Sequence, residues 1–274
     1  YPLYTHQVSM LQQAVAGRNA VVTSGTGSGK TESFLLPLFA SLAAESVNWQ
    51  APNARLPHDN DWWASEEWQA SCKRGNRIAQ SFRVPQRGHE SRPAAVRALV
   101  LYPMNALVED QLSRLRRALD SQQARQWCDA HMNGNRLYFG RYTGNTPVPG
   151  HEYKPNGNPD KNQIERLARE LVGLDRGAAE AARRAADREA AAISDREREA
   201  ARDIIYFFPR LDGAEMRSRW DMQDSPPDIL ITNCSMLSIM LMREADSPIF
   251  EQTRRWLEQP GSVFHLIVDE LHLY

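Results

Sequence analysis

The eight residues Ser24-Gly25-Thr26-Gly27-Ser28-Gly29-Lys30-Thr31 bring together three glycines, a lysine and a final hydroxyl in the order that suits a polyphosphate. Glycines let backbone N–H groups turn inward around phosphate oxygens, and a helix starting behind them adds the positive end of its dipole. Lys30 is then placed to neutralise the terminal phosphates, and the Thr31 hydroxyl to ligate Mg²⁺. Ser24 stands where the strict pattern has glycine, and its small size keeps the loop feasible. A second set lies near the other end of the chain, Val268-Asp269-Glu270-Leu271-His272, after an apolar run. An Asp-Glu pair at the end of a buried strand can share Mg²⁺ through Asp269 and activate a water through Glu270. Lys30, Asp269 and Glu270 are the candidate catalytic residues, and Thr31 and Asp269 the candidate metal ligands. Together the two sets predict hydrolysis of ATP with Mg²⁺, beyond binding alone.

The N-terminal Tyr1-Pro2-Leu3-Tyr4-Thr5-His6-Gln7 supplies an amide and aromatic rings shortly before the glycine loop. Gln7 can read an adenine edge with one donor and one acceptor, and Tyr4 can stack on the base. The competing reading is a helix start capped by Thr5. The candidate nucleotide set is therefore Tyr4, Gln7, Ser24, Gly25, Thr26, Gly27, Ser28, Gly29, Lys30 and Thr31.

These residues need a frame. Short apolar runs at Ala20–Thr23, Ala98–Tyr102, Arg136–Gly140, Asp228–Thr232 and Phe264–Val268 alternate with helical or loop sequence. Such runs predict a doubly wound α/β fold, a mostly parallel sheet covered by helices on both faces. Two segments break the rhythm. About 47–93 is rich in tryptophan and arginine, and its basic stretch is readable either as a phosphate-tracking surface or as core packing under Trp62, Trp63 and Trp68. About 147–227 becomes a charged helical stretch, read as a hairpin with a break near Gly173–Gly177.

Composition narrows the class. The chain has 274 residues, 33 basic against 34 acidic side chains, and a 42% hydrophobic fraction, as expected of a globular protein with no strong overall attraction to polyanions. No apolar run approaches the ~20 residues that cross a bilayer. Cys72, Cys128 and Cys234 are odd in number and far apart, which argues against a disulfide framework or zinc site and for a reducing, cytoplasmic setting.

Between the two phosphate-directed sets lie Leu101-Tyr102-Pro103-Met104-Asn105-Ala106-Leu107-Val108-Glu109-Asp110-Gln111, Gly140-Arg141-Tyr142-Thr143-Gly144 and Ile231-Thr232-Asn233. In that order the strings resemble the motifs of the first RecA-like domain of superfamily-two DExH-box helicases, with Gln7 at the place of the Q motif. The wording of Tyr102–Gln111, the Trp-rich insertion, and Pro226–Asn233 with Met236-Leu237 is closest to large bacterial helicases of anti-phage defence systems of the Druantia and DISARM type and to DNA-repair relatives. The resemblance covers most of the chain outside the insertions. It implies one RecA-like ATP-binding domain over 1–274 and sequence-independent backbone contacts to one DNA strand through Asn105 and Gln111, Arg141 and Thr143, and Thr232 and Asn233. It also implies a coupling role for His272 toward a second RecA-like domain beyond residue 274. Without that domain's arginine finger the chain alone is expected to be nearly inactive. Other defence-system subunits are possible partners of the insertions, and no membrane is expected. Two alternatives stay open: a translocase on duplex DNA that does not separate strands, and a non-motor ATPase serving as switch or scaffold.

Overall fold

A computed structural model describes residues 3–23, 29–74, 80–103 and 105–273, with the side chains of residues 73, 74 and 105–107 outside the description. In chain order the elements are α1 (Thr5–Val15), α2 (Lys30–Ser46), α3 (Glu66–Arg74), β1 (Ala98–Leu101), α4 (Asn105–Asp120), α5 (Gln122–His131), β2 (Phe139–Arg141), α6 (Lys161–Ala191), α7 (Asp195–Asp203), α8 (Arg219–Asp224), β3 (Ile229–Thr232), α9 (Cys234–Met242), α10 (Ser247–Leu257) and β4 (His265–Val268). All four strands are parallel, in the order β2-β3-β1-β4. Leu101 sits between Thr232 and Val268, so the carboxyl ends of the three longest strands align. Ile229, Leu230 and Ile231 are all buried although successive side chains point to opposite faces, so both faces of the sheet are covered. Leu35, Leu38 and Leu42 of α2, Leu112, Leu115 and Leu119 of α4, and Ile249 of α10 pack into this core. The expected α/β architecture is present.

Two local expectations change. The run Ala20–Thr23 forms no strand. Val21 is 80% exposed, so a short ladder there would gain no burial to offset the cost of ordering it. The edge of β4 is correspondingly open, with Leu266 at 59% exposure. Helix α6 runs through Gly173 and Gly177 without a break. Two helical glycines cost about 1 kcal/mol each relative to alanine, and burial of Ile164, Leu167, Leu171, Ala181 and Ala185 outweighs that. Gly177 also lets the Phe208 ring approach, since a Cβ there would lie 3.1 Å from it. The hairpin turns instead at 192–194, where Ser194 and Glu197 form a capping box.

The basic run of the first insertion is interior. Arg83, Arg87, Arg92 and Arg97 are all buried. Arg83 pairs with Glu152, Asp221 and Asp224, while Arg92 and Arg97 converge on Asp228. Arg77 lies outside the described residues. Trp62, Trp63 and Phe82 share a second core with Ile164, Leu167, Leu171 and Trp220, so the two insertions pack as one body. Packing, not a phosphate track, explains the described arginines of this stretch.

Candidate nucleotide and nucleic-acid site

Gly29 caps α2 in the left-handed region at φ 73°, a conformation that glycine adopts without strain. A Cβ there would stand 2.6 Å from Gln7 Nε2. Gln7 is buried: its Nε2 donates to the Gly29 carbonyl (3.0 Å) and its Oε1 accepts from the Tyr4 N–H (2.9 Å). Both ends of the amide are therefore engaged with backbone, and Gln7 braces Gly29 at the start of α2. Tyr4 is exposed, its ring stacked on His6 at 5.6 Å. Ser24, Gly25, Thr26, Gly27 and Ser28 lie outside the described residues.

Lys30 is the first residue of α2, and Asp269 follows the last residue of β4. The Asp269 N–H donates to the Leu101 carbonyl (3.0 Å), which holds the acidic pair beside the end of β1. Glu270 has φ 49° and donates its N–H to Asp269 Oδ1. Lys30 Nζ lies 3.8 Å from Glu270 Oε1, with the two side chains 32% and 35% exposed. The other carboxylate oxygen of Glu270 is 3.5 Å from His272 Nδ1. Burial, reinforced by the Glu270 charge, pushes the Asp269 carboxyl above its ordinary value against the pull of the Glu270 amide and Lys30. Thr31 Oγ1 accepts a hydrogen bond from Gln111 Nε2 at 3.4 Å.

A hydroxyl and a carboxylate are hard oxygen donors of the kind Mg²⁺ takes alongside phosphate and water. Thr31 begins the same helix turn that Lys30 opens, and Asp269 is half-buried with its charge only partly compensated, so the donor set fits such an ion. Among the described residues no group of three His, Cys, Asp or Glu side chains is placed to hold a metal by itself. Any ion here would complete its shell from the ligand.

The positions expected to face nucleic acid separate. Arg141, at the end of β2, forms an ion pair with Glu109 of α4. Asn233 caps α9 by accepting the Met236 N–H at 2.8 Å. Thr143 is buried, donating its N–H to Thr146 Oγ1 and accepting at Oγ1 from the Asn145 N–H. Thr232 is buried too, its hydroxyl donating to the Tyr142 carbonyl at 2.7 Å. These threonines shape the loops from within, because a hydroxyl in a dry interior must find a backbone partner. Gln111 is turned away to Thr31, and the side chain of Asn105, at the start of α4, lies outside the description. The structure thus gathers Gln7, Gly29, Lys30, Thr31, Asp269, Glu270 and His272 at one end of the sheet and leaves Arg141 and Asn233 on its rim. Two relations had no signal in the sequence, Glu109 neutralising Arg141 and Gln111 reaching Thr31, since each joins separate elements.

Residues 4–137 match the model of the DEAD/DEAH box helicases. The chain is also 31% identical over 99% of its length to the Druantia protein DruE of Escherichia coli (strain UMEA 4076-1), of which it spans 14%. No solved structure matches it. Among the described residues no helix is long and apolar enough to cross a membrane. Beside an all-parallel sheet with Lys30 and Glu270 at its carboxyl edge, these likenesses make residues 4–137 similar to a DEAD/DEAH box helicase and nearly the whole chain similar to part of a Druantia protein.

Proposed function

We propose that this chain is the ATP-binding lobe of a nucleic-acid motor, a DNA helicase or translocase working in bacterial anti-phage defence. One observation carries the reading: Lys30 and Glu270, from opposite ends of the sequence, meet at 3.8 Å. Lys30 supplies the fixed positive charge for the terminal phosphates at the start of α2. Thr31 and Asp269 would hold Mg²⁺, which would supply positive charge to offset that of the phosphates. Arrival of a triphosphate draws Lys30 away from Glu270 and frees that carboxylate to orient a water and accept its proton. His272, beside the second oxygen of Glu270, is positioned to report the state of that carboxylate to a following domain. Tyr4, exposed at the mouth, offers a face for the base. Arg141, Asn233 and the starts of α4 and α9 form the rim on which a phosphate backbone would lie. The likeness to DruE supports the defence setting.

The test is ATP hydrolysis by the full-length protein in Mg²⁺ with and without DNA. Stimulation by single strands supports the helicase reading, and stimulation by duplex alone supports a translocase that does not separate strands. Hydrolysis indifferent to nucleic acid would leave a switch or scaffold ATPase, and failure to bind ATP would overturn the reading altogether.

A further inference from the structure

Gln111 stands out as a buried polar side chain that bridges two functional regions. It lies on the second turn of α4, is 8% exposed, and its amide nitrogen reaches Thr31 Oγ1 at 3.4 Å. One helical step further, Arg114 reaches the neighbouring residue of the same α2 turn, its Nη1 lying 3.0 Å from Glu32 Oε1. Residues three apart share a helix face, so α4 grips the first turn of α2 through two consecutive side chains. The outer pair is largely solvated and adds little. The inner one is specific. A threonine hydroxyl has one proton and two lone pairs. An amide N–H directed at that oxygen occupies one lone pair and fixes the rotation of the side chain, leaving the remaining lone pair in a defined direction. Val at position 31 would lack the acceptor, and a side chain at 111 without an N–H would leave the hydroxyl free to rotate. The same helix carries Asn105 at its start and Glu109, the partner of Arg141, on its exposed side. A shift of α4 therefore moves the donor that holds Thr31.

We infer that Gln111 is a positioning residue: it orients the Thr31 hydroxyl for the divalent cation that accompanies ATP, and it ties that oxygen to the helix on the nucleic-acid rim. The inference rests on the ATP–Mg²⁺ reading above. Its test is a Mg²⁺ titration of the binding of a fluorescent ATP analogue, on wild type, Gln111→Leu, Thr31→Val and the double variant. The Mg²⁺ concentration for half-maximal binding should rise about two- to tenfold in Gln111→Leu, the effect of one neutral hydrogen bond. Binding in EDTA should stay unchanged. The double variant should match Thr31→Val alone, because Gln111 acts only through that hydroxyl. An unshifted Mg²⁺ midpoint, or additive losses in the double variant, overturns the inference. Where Gln111→Leu loses its thermal transition, Gln111→Asn, one methylene too short to reach, carries the same expectations. A wild-type protein whose nucleotide binding ignores Mg²⁺ would instead sink the underlying ATP–Mg²⁺ reading.

Discussion

Glu270→Gln separates what the Lys30–Glu270 contact does before ATP arrives from what Glu270 does afterwards. The pair spans 3.8 Å, and each side chain is about one-third exposed. Pairs this solvated and screened are worth roughly 0.2–1 kcal/mol. A triphosphate must displace Glu270 from Lys30, so the contact subtracts that much from binding. Glutamine keeps the size and the backbone conformation at φ 49° but ends the charge competition. At 1.4 kcal/mol per decade, the gain in affinity is at most about fivefold. It should shrink further in high salt, where the competing pair is itself weak. Hydrolysis should fall much further, by about 10²–10⁴, as expected when a general base is removed. Equilibrium binding of a fluorescent ATP analogue and single-turnover hydrolysis of bound ATP measure the two effects on the same sample. Binding weakened by about tenfold or more would show that Glu270 supports the nucleotide instead of competing with it. Single-turnover hydrolysis within a factor of about three of wild type would remove Glu270 from the role of base.

Lys30→Ala should abolish detectable ATP binding, because the phosphates lose their fixed counter-charge; near-normal affinity in the same titration would refute the phosphate site. Asp228→Asn should cost about 3 kcal/mol, the low end for a broken buried pair, since Arg92 and Arg97 lose the carboxylate they share and keep Glu90 and Glu45, and should lower the thermal midpoint by on the order of 10 °C. Burial alone would raise the Asp228 carboxyl, but Arg92, Arg97 and Arg87 hold it far below the usual carboxylate range. Its contribution to stability is therefore complete above the unfolded value near 4 and fades as the pH falls further, a loss visible in acid unfolding of wild type and missing from Asp228→Asn. Trp62→Ala should cost about 3–5 kcal/mol, and hydrogen exchange should speed up both around Trp62 and in the first half of α6, because the two insertions share that core.

The sequence was most legible where chemistry restricts the residue type. Lys30, Asp269 and Glu270 could be placed at one edge because few alternatives satisfy a phosphate and an activated water. The strands at 98–101, 229–232 and 265–268 were readable because burial on both faces leaves continuous apolar runs. Partnership was harder to read than type. A Gln seven residues into α4 faces DNA or Thr31 according to the rotation of the helix relative to α2, which tertiary packing decides. The arginines at 83, 92 and 97 were ambiguous because carboxylates they meet, Asp221, Asp224 and Asp228, lie over a hundred residues away. Nor could local propensity place the turn of the α6–α7 hairpin, since side chains packed along α6 override both of its glycines.

The distribution of these partners gives the domain a stiff end and a loose one. Arg97 and Asp228 sit immediately before β1 and β3, at the amino ends of the strands, where Arg92, Arg97 and Asp228 form a dry charge cluster with Arg92 stacked 3.8 Å from the Trp49 ring centre. Glu45, near the end of α2, accepts from Arg97 and from Trp256 there, so the helix that starts at Lys30 is anchored by its far end. At the carboxyl ends the contacts are of another kind: a Lys30–Glu270 pair about one-third exposed, a long Gln111–Thr31 bond and a solvated Arg114–Glu32 pair. Each is weak enough for a triphosphate and its cation to replace, whereas buried pairs of the Asp228 type are not. On the proposed ATP–Mg²⁺ reading, rearrangement would be confined to the edge where Lys30, Thr31 and Glu270 meet, while the far end of α2 stays held through Glu45.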